Sequence, residues 1–176
     1  MAEARDETRA ASAGDFRFWG RYNLVGLAIA IVALVADQLH KYWMLEVYRI
    51  AERGKVTVTS FFDLVLSWNP GISYGLFPAE SETGRIALIA VASLAVLALF
   101  LWMSNASSRL VAISIGLIIG GAIGNLIDRM VYGAVADFFS FHVAGFYWYV
   151  FNIADVTITA GVIGLIIDWL ISPREA

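Results

Sequence analysis

Cysteine is missing from all 176 residues, which excludes disulfides, thiolate nucleophiles and cysteine metal sites and leaves the redox compartment unread. Histidine is nearly as scarce, with two residues, and Lys41 and Lys55 are the only lysines. Histidine-rich metal clusters and serine–lysine catalysis therefore have very few candidates. Charge is thin as well: Asp, Glu, Lys and Arg make up 15% of the chain, and the formal net charge is −3. With no basic patch, nucleic acid is not an expected partner. What fills the chain is apolar, 60% of it, and a positive mean hydropathy places it among membrane proteins rather than soluble domains.

Four apolar windows, 23–44, 86–103, 110–127 and 150–170, approach or exceed the roughly 20 residues that cross a hydrocarbon core of about 30 Å. The expected fold class is an α-helical integral membrane protein: four transmembrane helices in a single domain over 22–171. An even number of spans puts tails 1–21 and 172–176 on one side. Lysines and arginines counted together on the two sides tie, but Arg5, Arg9, Arg17 and Arg21 all precede the first helix, which favours cytoplasmic tails. A cleaved signal peptide is the alternative for the first window, yet no small-residue cleavage site follows it, and HKYW reads as a helix end at an interface.

The largest extramembrane piece, about 45–84, contains KVTVTSFFDLVLSW at Lys55–Trp68, whose β-branched and aromatic residues with partial alternation predict two short strands or a hairpin. A small sheet lying on the bilayer is expected. NPGISYGLF follows at Asn69–Phe77, a turn that leads into an apolar stretch suited to a lipid-facing surface or a substrate groove. Gly116, Gly120, Gly121 and Gly124 in the third span read as small residues that let helix backbones approach.

The polar residues in or beside these spans carry the chemistry, because an ionised carboxylate at mid-bilayer costs roughly 2.5 kcal/mol or more. Asp37 and Lys41 stand at i and i+4, an ion pair at the interface or a brace for a site. Asn125, Asp128 and Arg129 share one face, with Asp128–Arg129 neutralisation as the simplest expectation. Asn152, Asp155 and Thr159 form a stripe on an otherwise apolar helix. Asp137 lies in the loop expected at about 129–149, on the same side as Asp155, whereas Asp168 lies at the other end. Two converging carboxyls share a proton, one serving as general base and the other as general acid, which suits peptide hydrolysis by activated water. No metal, cofactor, serine or thiol is required. Intramembrane aspartates also serve as relays in proton-coupled transporters or channels. A serine protease built on Ser73 with His142 or His40 has only an extramembrane turn to support it.

In order along the chain, DQLHK, NPGISYGLF, GNLIDR, VADF and FNIAD closely resemble the lipoprotein signal peptidase (signal peptidase II) family over roughly 22–170. The resemblance implies an aspartic endopeptidase of the bacterial inner membrane, four helices and a periplasmic β-cradle. It further implies cleavage of prolipoproteins just before a diacylglyceryl-modified cysteine, membrane lipids as surroundings, and inhibition by globomycin-type lipopeptides. It places the catalytic pair on Asp137 and Asp155 and supporting roles on Asp37, Lys41, Asn69, Asn125, Asp128, Arg129 and Asn152, with glycines at Gly71 and Gly124. Tyr74 stands where the family pattern leads one to expect Phe, and the amino-terminal tail is long.

Overall fold

The computed structural model describes residues 18–71 and 81–172. Most of both tails, and the segment that includes Ser73 and Tyr74, lie outside the described residues. Helix α1 spans Asn23–Tyr42 and runs on through a π-helical turn, Trp43–Val47, to a short helix α2, Ile50–Arg53. Strands β1, Val56–Thr59, and β2, Phe62–Asn69, come next. Helices α3, Glu82–Met103, and α4, Arg109–Val131, lead to strands β3, Val135–Val143, and β4, Phe146–Tyr147, and helix α5, Ile153–Ile171, closes the fold. The four long helices are each long and apolar enough to cross a membrane.

Helix α4 is the hub. It packs against α1, α3 and α5, and 56% of its apolar window is buried, against 6% for α3. The glycines make this possible. A methyl group at Gly116 or Gly120 would collide with the carbonyl oxygens of Gly26 and Ala30 on α1, and one at Gly121 would meet Ala154 O of α5 at 2.5 Å. Such close approach lets dispersion hold helices together where lipid competes equally for apolar contact. Ser108 caps α4 by accepting the Val111 N–H at 3.1 Å and donates to Asp168 at 2.7 Å, which ties the far end of α5 to the start of α4.

The strands form one antiparallel run in the order β1-β2-β3-β4. The hairpin expected from KVTVTSFFDLVLSW is β1–β2. The segment expected as a loop at about 129–149 is half of the sheet instead. Its strand was hidden because VADFF is apolar without alternation and is buried from Val135 to Phe138, and because its β3–β4 turn is Ala144-Gly145, both with positive φ (49° and 84°), rather than the commoner Asn-Gly. Met44, Ile50, Ala136 and Phe138 form a core under the sheet, which roots it on the end of α1 and on α2.

Candidate active site

Strand β3 and the start of α5 deliver the two aspartates. Asp137 sits within β3, opposite Ser67 of β2, with only 3% of its surface exposed. It therefore comes from a paired strand and not, as the sequence suggested, from a loop. After β4 the chain returns along the sheet: Phe151 exchanges backbone hydrogen bonds with Phe139, at 2.9 and 3.1 Å. That bridge places Asn152, the N-cap of α5, beside Asp137.

Asn152 then forms a capping box with Asp155: its Oδ1 accepts the Asp155 N–H at 3.0 Å, while Asp155 Oδ2 accepts the Asn152 N–H at 3.2 Å. The two bonds satisfy donors that every helix start leaves open. The side-chain amide of Asn152 is free to face the other way, and its Nδ2 donates to Asp137 at 2.6 Å and to Asn125 Oδ1 at 3.1 Å. One fully buried asparagine thus touches both aspartates.

A buried charge cluster stands behind the pair. Lys41 Nζ lies 2.9 Å from Asp37, 2.7 Å from Asp128 and 3.0 Å from Asn125 Oδ1, so its three N–H groups have three acceptors. Asp37 is fully buried, and its Oδ1 accepts the Ala154 N–H at 2.9 Å. Asp128 pairs with Lys41 rather than with Arg129, and its Oδ2 accepts the Ala136 N–H at 3.1 Å. Each of these carboxylates therefore holds the backbone one residue before a candidate catalytic aspartate. Gly124 is required beside them, because a methyl group there would strike Asp37 Oδ2.

Arg129 points the other way. It donates to Asn125 O at 3.1 Å and to Gly71 O, pinning the turn that leaves β2. In that turn Asn69 Oδ1 accepts the Gly71 N–H at 3.0 Å, and the Asn69 side chain favours the charged form of Asp137. Asn125 completes the set: with its oxygen facing Lys41 and Asn152, its Nδ2 donates to Asp155 Oδ1 at 3.2 Å. All eleven residues singled out from the sequence, Gly71 and Gly124 included, converge on this one assembly. Gln38, which donates toward Asp37, Gly124 O and Asp128, was passed over; its place inside DQLHK was the available signal. The two histidines lie outside the assembly. His142 pairs with Asp63 at 3.0 Å, and His40 packs on Phe138 and Phe139.

Burial pushes the Asp137 carboxyl up to about 7, with the nearby Asp155 carboxylate adding to the rise and Asn152, Asn69 and Lys41 opposing it. Two clefts open onto the pair. Asp155 lines an apolar one of about 390 Å³ with Trp148, Phe151, Val156 and Ile163; Asp137 lines one of about 240 Å³ with Trp68, Asn69 and Pro70. Tyr149 borders both. A proton-holding carboxyl beside a second carboxyl, at the edge of an apolar cleft, can activate water against an amide without further groups.

Comparison with known proteins fixes the class. The fold is similar to that of a bacterial membrane enzyme solved by the in meso method at 1.9 Å resolution: TM-score 0.72 and 26% identity, covering 89% of this chain and 99% of that one. In sequence, the chain is 53% identical over 151 residues to a lipoprotein signal peptidase of Rhodopseudomonas palustris (strain TIE-1), covering 84% of this chain and 92% of that protein. It is 56% identical over 147 residues to a lipoprotein signal peptidase of Nitrobacter hamburgensis, covering 81% and 90%. The molecule is thus a multi-pass membrane peptidase. Residues 29–171 match the family model for signal peptidase (SPase) II, and the chain belongs to that family.

Proposed function

We propose that Asp137 and Asp155 are the catalytic pair of an aspartic endopeptidase that cleaves prolipoproteins before the diacylglyceryl-modified cysteine, at the periplasmic face of the bacterial inner membrane. The observation that carries this reading is Asn152, whose side chain donates to Asp137 and whose backbone donates to Asp155. Relatives that act as lipoprotein signal peptidases supply the substrate class. The apolar cleft beside Asp155 suits a lipid-anchored chain arriving from the membrane, and a globomycin-type lipopeptide would compete for it. A transporter relay finds less support, since α5 carries no polar side chain between Thr159 and Asp168.

We assign the two roles from the surroundings. Asp155, in the first turn of α5, accepts from both Asn152 N–H and Asn125, two donors that suit a base. Asp137, raised to about 7 by burial, holds the shared proton. Water attacks the scissile carbonyl carbon as Asp155 takes its proton and Asp137 protonates the carbonyl oxygen. Collapse then breaks the C–N bond: the amine leaves with the proton from Asp155, and a hydroxyl proton returns to Asp137. The pair ends as it began.

Asp137→Asn and Asp155→Asn should each abolish the gel shift that accompanies processing of a diacylglyceryl-modified precursor while the protein stays folded in the membrane. Near-normal processing by either variant would overturn the pair, and efficient processing of an unlipidated precursor would overturn the substrate.

A further inference from the structure

The buried cluster behind the aspartates does not balance in charge. Asp37 and Asp128 bring two carboxylates and Lys41 a single ammonium, whose three N–H groups are already taken by Asp37, Asp128 and Asn125. The oxygens then divide unevenly. Asp37 Oδ1 is held by Ala154 N–H and Asp128 Oδ2 by Lys41 and Ala136 N–H. Asp128 Oδ1 is left to another donor. Gln38, one residue after Asp37 on α1, supplies it: its Nε2 lies 3.1 Å from Asp128 Oδ1, 3.2 Å from Asp37 Oδ2 and 3.2 Å from Gly124 O.

A neutral donor suits this half-buried place. A second cation would have to be desolvated, and an acceptor would face two anions; a buried polar network that is only partly satisfied is worse than none. A primary amide gives two N–H groups without charge. Its position also matters. Asp37 and Asp128 hold the N–H groups of Ala154 and Ala136, the residues immediately before Asp155 and Asp137. A carboxylate that turns to find a new donor carries its backbone clamp with it, and reacting groups misplaced by about 1 Å can cost on the order of a hundredfold in rate.

We infer that Gln38 is a positioning residue for hydrolysis: its amide locks the rotamers of Asp37 and Asp128 so that the two backbone clamps hold Asp137 and Asp155 at reacting distance from one water. It touches neither the substrate nor the aspartate pair. The inference rests on the assignment of Asp137 and Asp155 as the catalytic pair.

Two variants test it on the full-length enzyme in lipid, with a diacylglyceryl-modified precursor as substrate. Gln38→Met keeps the length and removes both donors; kcat should fall tenfold or more while KM stays within twofold. Gln38→Glu introduces a carboxyl that faces Asp37 and Lys41 on its own helix, Asp128 on α4 and Asp155 of α5 beyond Asp37. Its acid form donates a hydrogen bond as the amide does, whereas its ionised form cannot. Activity relative to wild type, measured from pH 5 to pH 8, should therefore be greatest at the acid end and drop at least tenfold towards the alkaline end. A residue that merely stitches α1 to α4 would lower the unfolding temperature and leave this ratio flat. A flat ratio for Gln38→Glu, or an unchanged kcat for Gln38→Met, overturns the inference. Asp137→Asn and Asp155→Asn run in parallel keep the outcomes apart: if both are inactive and the Gln38 ratio is flat, the catalytic pair stands and the role of Gln38 falls.

Discussion

At Asp137 the fold and the chemistry pull on the same proton. A carboxyl raised from 3.8 to about 7 by burial takes up a proton when the chain folds. The stability gained from the neutral form is complete below about pH 4 and is lost as pH rises through about 7, a span worth about 4 kcal/mol at 1.36 kcal/mol per unit. In the proposed mechanism catalysis by the acid form follows the same titration, so kcat/KM should fall about tenfold per unit above pH 7. Thermal unfolding in detergent supplies an independent readout. Asp137→Asn should unfold at a higher temperature than wild type at pH 8, with the difference shrinking towards pH 4.5; a gain that did not depend on pH would show that Asp137 is not the proton holder. The members of this site were legible in the sequence, but their pairing only in part. Asn152 and Asp155 stand three apart and so share one face of a helix, which the sequence shows as a polar stripe; that Asn152 is the cap and Asp155 the third position emerges only from the fold. The partner of Asp128 was not legible, because adjacency favours Arg129 in any sequence reading, whereas Lys41 arrives from another helix through a close approach that only the fold reveals.

Among the elements, α4 decides how closely the parts of the site meet. Gly124 lies where α4 passes α1, with Asp37 filling the space that a side chain would occupy. Gly124→Ala should push Asp37 off Ala154 N–H and cost about 1 to 3 kcal/mol through overpacking. Because the displaced clamp adjoins Asp155, turnover should fall by at least tenfold, while Gly54→Ala, at a position with open space around it, should leave turnover intact even though its φ of 65° lowers stability. Turnover equal to wild type in Gly124→Ala would separate Asp37 from catalysis. The glycine spacing and the β1–β2 hairpin could be read from the sequence because both follow local rules of period and composition. Strand β3 could not, since its first half, Val135–Phe138, is covered on both faces and a doubly buried segment shows no alternation. The start of α5 was placed near Val150 for a similar reason: Val150 and Phe151 are apolar, yet Phe151 is spent on the sheet, and the helix begins only at Ile153.

Taken whole, the molecule separates its two ends by function. The carboxyl ends of α1 and α4 and the amino end of α5 meet the sheet and the aspartates, while Ser108, Asp168 and Ser172 gather at the other end. In the proposed orientation, with the arginine-bearing amino terminus cytoplasmic, the sheet projects outward, where a secreted precursor would present its cleavage site. The absence of cysteine makes this directly measurable. A single cysteine at Glu52, exposed on α2, should react with a membrane-impermeant maleimide in cells whose outer membrane alone has been permeabilised. One at Ser172, past the end of α5, should react only after the inner membrane is broken. The opposite pattern would turn the protein over and put the aspartates on the wrong side for their proposed substrate. Equal labelling at both positions in intact spheroplasts would mean an odd number of crossings, which four paired helices do not permit.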